Sequence, residues 1–406
     1  METQRAYMMT NNSADYHPWQ VTNLRTASTS GEISLKQIRK RFLYNVTALM
    51  SLSRTKTMKI ASFSKLALAL FVSLIVAVPV HAWDYEGHRV VNQLGLAALP
   101  KDFPAFVKTP EARERIAFLA GEPDRWRNQG DGRNPTDDVV LSHFAGPDHY
   151  FDMEDLDPLK LKPTDLPIFR FEFAGELAKL RAAHPERFDP IDPTKDADRT
   201  KALPGFAPWA ITELTGKLRS SFSYLKAFQD YGGTPEEIAN AQANIIYIMG
   251  VLGHYVGDCA QPLHLTRHHH GWVGPNPHGY TTNSSIHSRI DGGFFRRTGG
   301  VKADPLIEKI RPAKIINDPL KSDDLFRKVM AYLQESHQFV EPLYRLDKEG
   351  KLTPENPDSH EGRDFLEAQL VRGGQMLGDL WYSAWQQAGE DTFLIRVLKA
   401  RQAAPK

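Results

Sequence analysis

A long apolar run near the middle of the chain constrains the fold more than any other feature. Ala241 to Val256 is largely apolar over a length that favours a buried helix over a strand. Thr234, Pro235 and two following glutamates form a helix-start signal before it, and Pro262 is a stop signal after it. We therefore expect a long central helix that ends shortly before Pro262.

The chain after residue 82 favours helices elsewhere too. Helix-period apolar residues recur between Trp209 and Tyr231, while Pro185 to Pro204 is rich in Asp and Pro and predicts a loop. No strand alternation or internal repeat is found. Further helices are predicted at Arg89–Leu99, Pro110–Leu119, Phe173–Ala183, from His287 to Phe295, at Asp323–Tyr344 and at Glu361–Ala388. The expected fold class is all-α, with residues 83–406 as one large helical domain around the buried central helix.

The N-terminal part has the pattern of an export signal. Leu66 to Val80 is apolar except for Ser73 and Pro79, follows two lysines, and is too short to span a bilayer. Val80-His81-Ala82 is a small-residue cleavage pattern. We expect a signal peptide over residues 58–82, an upstream segment over residues 1–57 that is absent from the mature protein, and export to the periplasm or the cell exterior. The alternative is an N-terminal anchor that stays attached.

Charge and cysteine content narrow the function classes. Residues 1–82 hold ten Lys/Arg and three Asp/Glu, which leaves 40 basic and 46 acidic residues and a net charge of −6 in the remainder. A protein that binds polyanions through a broadly basic surface has more basic than acidic residues. The single cysteine, Cys259, excludes an intramolecular disulfide and is expected to be a buried apolar residue rather than a metal ligand.

Metal-capable side chains cluster at the end of the predicted central helix. His254 and Asp258 are four residues apart and therefore project from one helix face, and His264 follows in the turn after Pro262. His287 and Asp291 repeat the spacing. Two His-x-x-x-Asp pairs indicate a metalloenzyme.

An ordered series of motifs resembles the S1/P1 nuclease family, within the superfamily that includes zinc-dependent phospholipase C. The series begins with Trp83 directly after the cleavage pattern and Gly87-His88, and it ends with the two His-x-x-x-Asp pairs. The resemblance spans most of residues 83–291 and implies a mostly helical protein with three zinc ions.

The resemblance also implies roles for individual residues. Trp83, through its amino group, and His88 would hold one zinc, and Asp124, His149 and His254 a second, with Asp258 bridging the two. A third zinc would bind His264, His287 and Asp291. Asp124, Arg127 and Asp258 would be catalytic, with Arg127 stabilising the charged transition state, and Tyr150 and Asp152 would contact a base of the substrate.

Zinc chemistry supports this assignment. Imidazole and carboxylate are usual zinc ligands, and catalytic sites keep positions open for water or substrate. Paired metals activate water for an in-line phosphoryl displacement, and their charge supplies the positive field that the acidic chain lacks. A planar guanidinium such as that of Arg127 suits phosphate oxygens.

Several alternatives stay open at this level. His143 competes with His149 for one ligand position, and Arg127 alternatively only pairs with nearby acids. Tyr150 is alternatively a packed side chain and Asp152 a surface residue. The run His268 to His270 is expected to be a solvated loop rather than a fourth site.

The substrate class also has alternatives. Asp291 and Arg127 favour the nucleases, so we expect a phosphodiesterase acting on single-stranded DNA, RNA or nucleotides, as a monomer without a stable protein partner. Thr266 to Asn283 departs from the nuclease pattern, and Ile286 to Asp291 also resembles the phospholipase C pattern. A zinc-dependent phospholipase C is the alternative, and a zinc-binding protein without catalysis is a third possibility.

Overall fold

The computed structural model describes residues 83–128, 138–317 and 319–404, and these form helices and loops without a strand. The predicted signal peptide and upstream segment lie outside the described residues. The helices, in chain order, are α1 Tyr85–Ala98, α2 Pro110–Leu119, α3 Glu122–Arg127, α4 Val139–Ala145, α5 Arg170–Ala183, α6 Ala207–Asp230, α7 Pro235–Asp258, α8 Ile286–Ser288, α9 Phe294–Arg297, α10 Asp304–Ile307, α11 Ser322–His337, α12 Val340–Lys348, α13 Ser359–Gln386 and α14 Thr392–Ala403. The predicted all-α fold is confirmed.

Helix α7 is the predicted central helix. A reciprocal capping box starts it: the Glu237 N–H donates to the Thr234 hydroxyl (3.2 Å), and the Thr234 N–H donates to the Glu237 carboxylate (2.8 Å). From Met249 to Asp258 every residue is buried, whereas Tyr247 is 42% exposed. The continuously buried part of α7 is therefore its C-terminal part, which carries the metal-capable side chains.

Small residues allow α1 to lie very close to α7. A Cβ at Gly253 would stand 1.6 Å from Asn92 Oδ1, and one at Gly257 would stand 3.0 Å from His88 Nδ1. Asn92 ties the helices together because its amide donates to the carbonyls of Ile116 (2.8 Å) and Gly250 (3.1 Å). Helix α13 packs along α1, so the C-terminal half of α7 is enclosed.

Some predicted boundaries are wrong. The single helix expected over Asp323–Tyr344 is two helices, α11 and α12, because the chain turns at Gln338 and Phe339, where the Phe339 N–H donates to the Ser336 carbonyl. Helices α3, α4, α10 and α14 were not predicted, although Asp138 and Asp391 cap the first turns of α4 and α14. Helical structure over His287–Phe295 is present, with a π-helical turn at Arg289–Gly293 between α8 and α9.

Cys259 is fully buried in the core, as expected, and burial raises its pKa well above the usual value. Across residues 83–128, 138–317 and 319–404, no helix has both the length and the hydropathy needed to cross a membrane.

Candidate metal centre

Asp258, at the last position of α7, lies among four imidazoles. Its Oδ2 atom is 2.9 Å from His149 Nδ1 and 3.2 Å from His254 Nε2. Its Oδ1 atom is 3.4 Å from His88 Nε2 and 3.7 Å from His264 Nδ1. The carboxylate is completely buried, so the fold places one anionic group at the centre of the histidines that the sequence singled out.

Two metal-capable groups of residues share His254. One consists of His88, Asp124 and His254, and the other of His149, His254 and Asp258. His254 Nε2 lies 2.9 Å from His149 Nδ1 and 3.9 Å from Asp124 Oδ1. The structure thus brings together residues from α1, α3, α7 and the loop after α4. The predicted partition differs, because His88 falls in a group with Asp124 and His254, while His149 falls in a group with His254 and Asp258 and without Asp124.

The third group, His264, His287 and Asp291, is the one expected from the sequence. His287 Nε2 lies 2.9 Å from Asp291 Oδ2 and 3.2 Å from His264 Nε2. Asp291 lies in the π-helical turn, a feature that often occurs at functional sites. The Gln261 amide donates to Asp291 Oδ1 at 2.5 Å, a contact that sequence reasoning missed.

Backbone carbonyls orient two of the imidazoles. His254 Nδ1 is 2.6 Å from the Ala120 carbonyl, and His264 Nδ1 is 2.8 Å from the His149 carbonyl. A ring that donates through Nδ1 presents an unprotonated Nε2 lone pair, which is the usual arrangement of metal-binding histidines. In both residues Nε2 faces the other members of its group.

The pKa shifts of the residues in the centre are consistent with a cation-binding site. Burial raises the pKa of Asp258 to about 6 against the opposing effect of His254, and burial also raises the pKa of Asp291. Burial holds the pKa values of His149 and His264 well below the usual value, which favours the neutral, ligating imidazole. For His254 burial acts in the same direction, but Asp258 and Asp124 outweigh it and raise its pKa.

Unused acceptors provide a direct test of whether metal ions fit. Asp124 Oδ1, Asp258 Oδ1 and Asp291 Oδ2 are buried and accept no well-directed hydrogen bond from the residues that the structure describes, although Arg127 Nε lies 3.0 Å from the first and His287 Nε2 lies 2.9 Å from the third. A buried carboxylate oxygen without a donor is costly unless a cation satisfies it. Since each of these oxygens belongs to one of the three His/Asp groups, the donor set fits divalent metal ions.

Trp83 lies against the end of α7. Its side chain is fully buried, and the indole N–H donates to the Gly257 carbonyl at 2.9 Å. The next residue, Asp84, donates its backbone N–H to the Asp291 carbonyl at 2.8 Å. These contacts fix the start of the described chain beside the metal-capable groups. The part of its amino group in metal binding stays a prediction.

Arg127 lies at the edge of the centre. Its Nε atom is 3.0 Å from Asp124 Oδ1, and its side chain is 21% exposed. Pairing with a nearby acid is therefore present. The Arg127 side chain is therefore partly exposed beside a metal-capable carboxylate, although Nε itself is buried.

The structure separates His149 from its competitor His143. His149 is fully buried between Asp258 and His254, whereas His143 is exposed and its Nδ1 atom contacts the Asp198 carbonyl at 2.7 Å. Since one donor group includes His149 and, among the described residues, none includes His143, the geometry favours the predicted choice.

Tyr150 and Asp152 lie next to the centre in different environments. The Tyr150 hydroxyl donates to the Leu203 carbonyl at 3.4 Å, and the residue is half-buried. The alternative of a surface position for Asp152 is wrong: the residue is 7% exposed, and burial raises its pKa well above the usual value. The nearest imidazole contact of its Oδ1 is His269 Nδ1, at 3.8 Å.

The histidine run is not a purely solvated loop. His268 stacks on Trp272 with ring centroids 4.0 Å apart, and the rings of His269 and His270 lie 6.1 Å and 5.1 Å from that of His287. These two rings therefore flank the third donor group. In the sequence, the histidine run lies four to six residues after His264. That position alone did not show whether the run flanks a donor group or forms a solvated loop.

Comparisons with known proteins add little to this description. A scan of protein-family models gives no match, and a search of curated proteins finds none that is similar. Among solved structures, the alpha toxin from Clostridium absonum aligns with 77% of this chain and 68% of its own, at 11% identity and a TM-score of 0.36.

Proposed function

We propose that this protein is a zinc-dependent phosphodiesterase that cleaves single-stranded nucleic acid. The observation that carries the proposal is the convergence of five imidazoles and three carboxylates, in three donor groups, around the end of α7. The ordered motif resemblance to S1/P1 nucleases supports the choice of metal and reaction.

In this proposal the three groups hold three zinc ions, with Trp83 completing one site. Bound zinc supplies Lewis-acid polarisation of a phosphoryl oxygen and lowers the pKa of water toward neutrality. Asp124 and Asp258 would each contribute a carboxylate oxygen to these donor groups. Arg127, which pairs with Asp124, would place its guanidinium against the transferred phosphoryl group, where charge-assisted hydrogen bonds would stabilise developing negative charge.

The substrate would lie over the side of the centre formed by residues 149–152. Tyr150 provides a ring for stacking against a base, and Asp152 provides a carboxyl group whose raised pKa favours the protonated form. A protonated carboxyl group both donates and accepts a hydrogen bond, which suits the edge of a base. Both roles are proposals taken from the family resemblance.

A second candidate function is phospholipid hydrolysis, and exposed aromatic residues favour it. Phe169 and Phe171 are 66% and 86% exposed at the start of α5. Arg170 between them pairs with Asp148 at 2.7 Å, and Asp148 precedes the donor His149. Apolar side chains near a phosphoester site are able to insert into a lipid surface.

The deciding experiment combines a metal count with three substrates. The purified protein is analysed for zinc and incubated with single-stranded DNA, single-stranded RNA and phosphatidylcholine. We expect three zinc ions per chain and cleavage of the nucleic acids. Lipid turnover without nucleic-acid turnover would replace the first function by the second, and zinc without turnover of any substrate would indicate a non-catalytic zinc protein.

A pair of variants connects activity to the centre. Asp258→Asn keeps the shape but removes the shared charge, so it should lower zinc content by at least one ion and activity by 100-fold or more. Asp379→Asn is the matched control, because Asp379 is also buried but pairs with Arg311 outside the three donor groups. Equal loss of zinc in both variants would mean that Asp258 acts only through folding.

The proposal includes export and a monomeric state. Signal cleavage before Trp83 would free the amino group that the zinc site requires. N-terminal sequencing of protein recovered from the cell envelope and medium should begin at Trp83, and light scattering should give the mass of one chain. A sequence that begins upstream of Trp83 would contradict cleavage at this position.

A further inference from the structure

A basic pocket lies beside the centre, between the end of α5, the Pro185–Pro204 loop and the start of the Thr266–Asn283 segment. Its volume is about 360 Å³, and four cationic side chains line it together with two acids. The cations are Arg181, Arg187, Lys201 and Arg267, and the acids are Asp155 and Asp189. The lining is thus net positive in a region of the sequence, residues 83–406, that carries a net negative charge.

The internal ion pairs of this basic pocket are weak. Arg267 contacts Asp189 at 3.4 Å and Arg187 contacts Glu186 at 3.7 Å, and these carboxylates are 91% and 66% exposed. Ion pairs between exposed side chains contribute little free energy to stability. An incoming anion therefore replaces these carboxylates at a small cost in free energy.

The basic pocket also contains an aromatic platform. The guanidinium of Arg181 lies 4.2 Å from the centre of the Phe188 ring, and both residues are half-buried. Cations interleaved with a stacking surface are the combination that binds single-stranded nucleic acid without strict sequence preference.

The basic pocket and the metal centre share a wall. The wall runs from the donor His149 to Asp155, which lines the pocket, and the Asp152 N–H donates to the carbonyl of Pro204 at 2.7 Å. His149 ends a 3-10 helix, the three residues after it are non-helical and Met153–Leu156 is a second 3-10 helix, so the Cα atoms of His149 and Asp155 are at most about 16 Å apart. A few nucleotides span that distance.

We propose that the basic pocket is a second anion subsite, which binds a backbone phosphate of single-stranded nucleic acid a few nucleotides from the cleaved bond. The identity of the substrate rests on the proposed function. The subsite gives the Thr266–Asn283 segment a role, because Arg267 and Val273 of this segment close one side of the pocket. Longer substrates should therefore bind more tightly than dinucleotides.

The test is a binding measurement with a matched control. Fluorescence anisotropy follows a labelled, hydrolysis-resistant phosphorothioate 12-mer on the zinc-loaded protein between 50 and 200 mM salt. The test variant is Arg187→Gln/Lys201→Gln. The control, Arg113→Gln/Lys302→Gln, removes the same residue types from a separate cavity of about 660 Å³.

Counterion release sets the expected size of the effect. Each phosphate contact to a single strand contributes about 0.7 to the slope of log affinity against log salt. Because the subsite binds one phosphate, the test variant should lose about 0.7 in slope and bind about fivefold more weakly at 0.1 M salt. The control should stay within about twofold of the parent, and bis(p-nitrophenyl) phosphate, which is too small to reach the pocket, should be hydrolysed at the parent rate by both variants.

The outcomes separate this proposal from the proposed function. Unchanged affinity and slope in the test variant, an equal loss in the control, or a parent that does not bind the 12-mer would overturn the subsite. A parent that binds the 12-mer with the expected salt slope but cleaves neither DNA nor RNA would leave the subsite standing and overturn the nuclease.

Discussion

Glu154 lies at a junction whose pH dependence can be worked out from its contacts. Its carboxylate accepts hydrogen bonds from the Thr266 hydroxyl (2.7 Å) and the Arg267 N–H (3.1 Å), and it lies 2.8 Å from His337 Nε2. Burial favours the neutral acid, but the His337 and Thr266 contacts outweigh it and lower the pKa of Glu154 from 4.5 to about 2. The charged form therefore stabilises the folded state at neutral pH.

The sign and size of the effect follow from linkage. The folded-state pKa lies below the unfolded value, so the contribution is complete above about pH 4.5 and is lost as the pH falls toward 2. At about 1.4 kcal/mol per pKa unit, the upper limit is about 3 kcal/mol. Glu154→Gln keeps the side-chain size but removes the charge, so it should lower the free energy of unfolding by about 2–3 kcal/mol at pH 7.

The assay is urea unfolding followed by circular dichroism from pH 2.5 to 8, at one fixed zinc concentration. The difference between wild type and Glu154→Gln should be largest near pH 5 and shrink toward pH 2.5, while pH effects common to both proteins cancel. Glu176→Gln, at an exposed position on α5, is the control and should match wild type throughout. A difference at pH 2.5 as large as that at pH 7 would refute the assignment to charge.

Three further predictions test the packing and the metal centre. Gly253→Ala should destabilise the protein by about 1–3 kcal/mol, because its Cβ would stand 1.6 Å from Asn92 Oδ1. Gly216→Ala in α6 meets no atom within 4 Å and should instead stabilise by up to about 1 kcal/mol, with thermal unfolding as the measurement. Extra residues before Trp83 should remove one zinc ion and most activity, and full zinc content by elemental analysis would exclude the Trp83 amino group as a ligand. Chelation should lower the melting temperature, because each ion present at 100 times its Kd stabilises by about 2.7 kcal/mol, and an unchanged melting temperature would contradict a metal-linked fold.

Helical periodicity explains how much of the fold and centre the sequence predicts. Because residues four apart share a helix face, the members of the pairs His254/Asp258 and His287/Asp291 were expected to project together, and the structure brings each pair together. The boundaries of α7 followed from its cap and the proline after it. These are local features, which depend on residues within one or two turns.

Tertiary contacts decide the features that the sequence did not predict. The sharing of His254 between two donor groups depends on how closely α1 and α3 approach α7, which periodicity does not report. The π-helical turn at Asp291, which the Asp84 N–H contacts, and the placement of His269 and His270 beside His287 likewise depend on neighbours more distant in sequence. The same reason explains why Asp152 is buried, since its surroundings come from Pro204 and His269.

The metal centre and the tightest helix packing lie at the same place, and this links stability to function. Gly253 and Gly257 let α1 approach α7, and that approach brings His88 to within 3.4 Å of Asp258. Larger side chains there would separate the helices and so pull one donor out of its group. A variant such as Gly257→Ala is therefore expected to lose zinc before it loses helical structure. Zinc content measured beside the circular dichroism spectrum would show the two losses separately, and simultaneous loss would mean that the centre forms only as part of the whole fold.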